Sequence, residues 1–155
     1  MKKQKRIRNV ATKISKNFTL EEFLESSTAK AKKIQNKPTD EERRHIVELV
    51  LKILQPLRDA WGSGIEITSG FRCAKLNAAV GGSKTSAHTT GYAADTKPSN
   101  GNMKKYQKFV EDWLKKNGNF DQLIHEYPKK GVDSWVHIGY KNRAGKQRKM
   151  IFSIV

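Results

Sequence analysis

Between Pro38 and Gly62, the apolar residues Ile46, Leu49, Val50, Ile53 and Leu57 follow the three-and-four spacing that lines one face of a helix. Thr39 with Glu42, directly after Pro38, forms the capping box that satisfies free amides at a helix start, so this stripe is predicted to belong to one strong helix. A helix with so apolar a face has to bury it against another layer. Pro56 is expected to kink its last turn. Gly62-Ser63-Gly64 should then stop it before Ile65-Glu66-Ile67-Thr68, which alternates like a half-buried strand.

The other layer is legible downstream. Met103 to Asn117 is again amphipathic, with Tyr106, Phe109, Val110, Trp113 and Leu114 on one face and Gly118 as its stop. Shorter helices are expected from the Thr19/Glu22 capping box to about Ser26, and from Arg72 to Val80 before Gly81-Gly82. Ser83 to Gly91 reads as loop and Tyr92 to Thr96 as a strand. Asp121–Tyr127, Trp135–Tyr140 and Lys149–Val155 read as three more strands, expected to form an antiparallel meander. The fold class is α+β, with helices packed on a small, mainly antiparallel sheet. Residues 1–16 are Lys-rich and read as a flexible basic arm, which leaves a single domain over 17–155.

Lys and Arg total 31 against 15 Asp and Glu, a formal charge of +16 that draws the molecule toward polyanions such as an anionic cell envelope. Basic residues are spread along the whole chain, so the charge bears on where the protein adheres more than on what it does. No DNA-reading motif and no aromatics interleaved in the basic tracts are present, which argues against nucleic acid as a partner. The single Cys73 excludes an internal disulfide and reads as an inert, buried thiol. No run of about 18 apolar residues suggests a membrane span, and no apolar stretch of signal-peptide length follows the basic Met1 to Arg8. A monomer is expected.

Two of the four His stand in unusual company: His88 in Ser86-Ala87-His88-Thr89-Thr90-Gly91-Tyr92-Ala93-Ala94-Asp95, and His137 in Trp135-Val136-His137. A catalytic zinc ion takes three protein ligands and keeps one position open, and His88, Asp95 and His137 offer two borderline nitrogens and one hard oxygen. His88 leaves a loop and Asp95 sits on the next strand, with Gly91 letting the backbone turn between them. On its own strand, alternation sends Val136 and Ile138 to the core and His137, with Trp135, to the other face. His45 reads as an ordinary surface residue.

The segment Ser69-Gly70-Phe71-Arg72, continuing through Leu76-Asn77-Ala78-Ala79-Val80-Gly81-Gly82-Ser83 to Ser86-Ala87-His88 and Gly91-Tyr92-Ala93-Ala94-Asp95, resembles the M15 family of zinc D-Ala-D-Ala carboxypeptidases and related phage L-alanyl-D-glutamate endopeptidases. Asn17 to Glu25, Pro56-Leu57-Arg58, Phe120 to Glu126 and Trp135 to Tyr140 extend the resemblance from Asn17 to about Arg143. It implies one Zn²⁺ per chain on His88, Asp95 and His137, a hedgehog/D-Ala-D-Ala peptidase-like fold, and Arg72, Ser86 and Trp135 on the substrate side. Arg72 presents a planar fork suited to a carboxylate. Better-known members carry a Glu or Asp three residues before the last His, where this chain has Ser134. Glu126, ending the preceding strand, is then the first choice as general base and Asp133 the second. His125 is an alternative oxyanion donor that alternation sets opposite Glu126. The expected activity is hydrolysis of peptidoglycan stem peptides at the bacterial cell wall, as in a phage or prophage lysin. The competing expectation is a wall-binding or virion structural module that keeps the fold without turnover.

Overall fold

The computed structural model describes residues 11–127 and 134–155. Its centre is a five-stranded sheet of β1 (Ile65–Ser69), β2 (Ala93–Pro98), β3 (Gln122–Glu126), β4 (Trp135–Gly139) and β5 (Met150–Ile154), in the order β1-β2-β4-β3-β5. The first four strands pair antiparallel, and β5 pairs parallel with β3. The expected meander of the last three strands is therefore corrected. One edge of β4 is already taken by β2, so the chain crosses from the end of β4 to the free edge of β3 and runs alongside it in the same direction.

One face of the sheet is the core. Ala94, Leu123, Val136 and Ile138 are buried there against Ile46, Leu49, Ile53 and Leu57 of one helical run and Tyr106, Val110 and Leu114 of another. The first run comprises α3 (Asp40–Leu49), a π-helical turn (Val50–Leu54) and α4 (Gln55–Trp61). Its capping box forms as predicted: the Thr39 amide donates to Glu42 Oε1 at 2.8 Å and the Glu42 amide to Thr39 Oγ1 at 3.1 Å. The disturbance expected at Pro56 takes the form of the π turn just ahead of it. The Gln55 amide bonds back to Val50 O, and widening the turn relieves the clash between a proline ring and the preceding carbonyls. The shifted register also buries Leu54, which lay outside the predicted stripe.

The second run, α6 (Met103–Asn117), has the predicted bounds. The N-terminal helix is split: α1 (Leu20–Leu24) ends early because Ser26 caps α2 (Ser27–Ala31), its Oγ accepting from the Ala29 amide at 3.1 Å. α5 (Ala74–Ala79) and a 3₁₀ turn (Ala87–Thr89) complete the elements. The basic arm expected over residues 1–16 is tied down at its end, where the Ile14 amide donates to Phe18 O and Ser15 Oγ donates to Gln55 Oε1. Cys73 is only partly buried.

The core reaches the site through Gly70. There the Phe71 amide donates to Phe23 O at 2.7 Å, and a Cβ on Gly70 would lie 2.6 Å from Phe23 O and 2.7 Å from Phe23 Cα. Backbone atoms cannot swing aside as a side chain can. Gly70→Ala should lower stability by about 1–3 kcal/mol, measured by thermal denaturation; an unchanged midpoint would mean that β1 and α1 are not locked together here.

Candidate metal centre

The other face of the sheet carries the candidate chemistry, and strand register arranges it in rows. Asp95 pairs with His137, and His137 with Ile124; one row further along, Trp135 pairs with Glu126. His88 arrives from outside the sheet on the 3₁₀ turn. Ser86 Oγ accepts from the His88 amide at 3.2 Å, and the Arg72 amide donates to His88 O at 3.0 Å. These local bonds explain why a polar loop holds a residue that is only 2% exposed.

His88, Asp95 and His137 converge, with one ligand atom from each lying within 4.8 Å of the others. His88 Nε2 is 3.2 Å and His137 Nδ1 is 3.0 Å from the same oxygen, Asp95 Oδ1. These separations are close to the edge of a tetrahedron whose metal–ligand bonds are about 2.0–2.1 Å, roughly 3.3 Å. The His88 tautomer sharpens the fit. Its Nδ1 is 2.7 Å from Gly70 O, an atom that can only accept, so Nδ1 carries the proton and a neutral ring turns the Nε2 lone pair toward the carboxylate. Two lone pairs facing each other need a cation between them, and a ring held by a backbone carbonyl is the usual support for a metal-binding imidazole. The residues present therefore fit a zinc ion.

Burial opposes the charge on Asp95, but the two imidazoles that face it more than offset this and hold the carboxyl well below the usual carboxylate range, as a cation between them would. His137 Nε2 is buried without a hydrogen-bond partner among the described residues.

The group opens into a cleft of about 620 Å³ whose walls include Arg72, Ser86, Glu126 and Trp135. Glu126 Oε2 accepts from Trp135 Nε1 at 2.8 Å, so the indole fixes the carboxylate across the strand pair. Arg72 Nη2 donates to Ser86 Oγ at 3.3 Å, while Arg72 Nε is buried with no hydrogen-bond partner among the described residues. Desolvation lowers the Arg72 pKa against the opposing pull of Asp95 and Glu126. No carboxylate lies within ion-pair distance of Arg72 among the described residues, so its fork is open to a ligand. Asp133 lies outside the described residues.

Two other expectations are settled by packing. His125 points to the core side, its Nε2 3.2 Å from Glu111 Oε1 on α6, and is not among the residues lining the cleft, so the oxyanion alternative is corrected: alternation on β3 sends it away from Glu126. His45 is more than a surface residue. Its Nδ1 lies 2.7 Å from Thr90 O and its ring stacks on Tyr92 with centroids 4.0 Å apart, bracing the loop that carries His88.

Sequence reasoning missed five contributors. Asn36 donates from Nδ2 to Leu24 O and Phe71 O and accepts from the Cys73 amide at Oδ1, pinning both neighbours of Arg72. Asp121, nearly fully buried, takes a two-pronged bond from Arg148 Nε and Nη2, each at 2.8 Å. Burial pushes the Asp121 carboxyl up, and the Arg148 bonds and charge more than offset it. Finally, Asn142, Arg148 and Ile154, from the last segment of the chain, line the cleft. An isolated Asn or Arg gives no periodicity or spacing by which to find it.

The α+β fold thus sets two imidazoles and a carboxylate together at the floor of a cleft, a group that could hold a metal ion. The peptidase M15 family model matches residues 16–139, most of the chain, and this chain belongs to that family. A comparison with curated proteins found no match.

Asn36→Ala removes three hydrogen bonds at once. It should cost about 1–3 kcal/mol of stability through the backbone groups left unpaired, and calorimetric unfolding checks this; a loss under about 0.5 kcal/mol would mean that water replaces the side chain.

Proposed function

We propose that this protein is a zinc peptidase that hydrolyses the stem peptides of peptidoglycan at the bacterial cell wall, in the manner of a phage or prophage lysin. The observation that carries the reading is the convergence of His88 Nε2, His137 Nδ1 and Asp95 Oδ1 beside an open Arg fork and an indole-held carboxylate. Family membership supports the peptidase class. The +16 charge suits a surface that meets an anionic envelope.

When bound, zinc would polarise the scissile carbonyl and make water acidic enough to act as a nucleophile near neutral pH. The chain's own residues do the rest. Glu126 is the general base: held by Trp135, it takes a proton from the attacking water and returns it to the departing amine. Arg72, steadied by Ser86, binds a substrate carboxylate or carbonyl and fixes the peptide in register with the metal row. Trp135 positions Glu126 and offers its ring to the substrate.

The purified protein should carry one zinc per chain by elemental analysis, lost on chelation along with activity, and His88→Ala and His137→Ala should each abolish most of it. Full zinc retention in both variants would sink the assignment. Glu126→Gln should retain zinc while kcat on a stem peptide falls by about 10²–10⁴. A variant with undiminished turnover would move the base elsewhere, with Asp133 next in line.

A further inference from the structure

β5 lies beyond the stretch matched by the family, residues 16–139, yet it extends the face that carries the metal centre. Register aligns Phe152 with Ile124 and thus with the His137–Asp95 row, and Ile154 with Glu126 and Trp135. Met150 pairs with Gln122 in a third row. The three alternate residues Met150, Phe152 and Ile154 therefore form a strip on the cleft side, 38%, 36% and 48% exposed, while Ile151 turns to the core. Three neighbouring apolar side chains left this open beside a site form a surface that a ligand could cover.

Polar groups frame the strip. Gln122, Asn142 and Arg148 line the same cleft as Ile154. Asp121 occupies the Nε and one Nη2 donor of Arg148, which leaves the outer N–H groups of the guanidinium for a ligand. An apolar platform with hydrogen-bonding groups at its margin matches a pyranose ring, which has a C–H face and a rim of hydroxyls. It matches the short polar or charged side chains of a stem peptide poorly. With strands about 4.8 Å apart, β5 stands roughly 10 Å from the His137 row, a span of about three extended peptide residues. Arg72 approaches from the opposite, β1 side, so a substrate crossing the strands from Arg72 would reach β5 with its far end.

We infer that the cleft face of β5, centred on Phe152 and Ile154 with Arg148 at its edge, is a subsite for a sugar ring carried by the peptide substrate. The inference rests on the peptidoglycan reading and deepens it: the preferred substrate is a glycopeptide, with the peptide alone a poorer one.

The test is calorimetric titration of the zinc-loaded full chain carrying Glu126→Gln, so that ligand survives, with a stem peptide bearing its disaccharide and with the same peptide lacking it. The disaccharide form should bind about tenfold more tightly, the gain expected from covering a modest apolar area. Adding Phe152→Ala or Ile154→Ala should bring the ratio near one, with Phe152→Ala leaving the affinity for the bare peptide unchanged. Equal binding of the two ligands, or a ratio that survives both substitutions, overturns the subsite while leaving the peptidase reading intact. Binding of neither ligand overturns both. Light scattering on the same samples adds one more check: a dimer that dissociates on Phe152→Ala would assign the strip to a second copy of the chain and overturn the sugar subsite.

Discussion

The structure of the cleft depends on one buried carboxylate shared by two imidazoles. Asp95 is 9% exposed, a position that disfavours its charge, and the two imidazoles facing its Oδ1, with the cation they would hold beside it, favour the ionised form. Neither imidazole is placed by its own strand alone. The β2–β4 register sets Asp95 across from His137, and the Gly70 carbonyl turns His88 toward the same oxygen. A slip of one residue in that register would send Asp95 or His137 into the core and empty the site.

The sheet thus divides its labour by face. Leu123, Val136 and Ile138 hold the helices, and the residues between them, Ile124, Trp135 and His137, build the floor of the cleft. Most polar groups on that floor are engaged by another side chain: Glu126 by Trp135, Asp121 by Arg148. Arg72 is the exception. Its guanidinium has lost much of its water and, among the described residues, has gained one weak bond, to Ser86, the condition of a group whose partner is supplied from outside.

Charge works differently at two distances. Across the whole chain Lys and Arg outnumber Asp and Glu by 31 to 15, an imbalance whose long-range field weakens as salt rises. Within the cleft the signs are mixed, with Asp95, Asp121 and Glu126 set against Arg72 and Arg148.

Local rules made much of this legible in advance. The Thr39/Glu42 cap, the Ile46 to Leu57 stripe and the Met103–Asn117 helix depend on neighbours three or four positions apart, and so are written in the sequence. Strand alternation likewise assigned Val136 and Ile138 to the core and His137 to the other face. The resemblance carried by Ser86 to Asp95 and Trp135 to His137 named a ligand set that the fold then brought together. Long-range partnership was not legible: β5 beside β3 instead of β4, Asn36 beneath Arg72, Arg148 on Asp121. Amino-acid order fixes what each short segment prefers and which face a side chain takes. Which edge a strand joins, and which distant groups then meet, was decided only when β2 occupied one side of β4 and left the far side of β3 free.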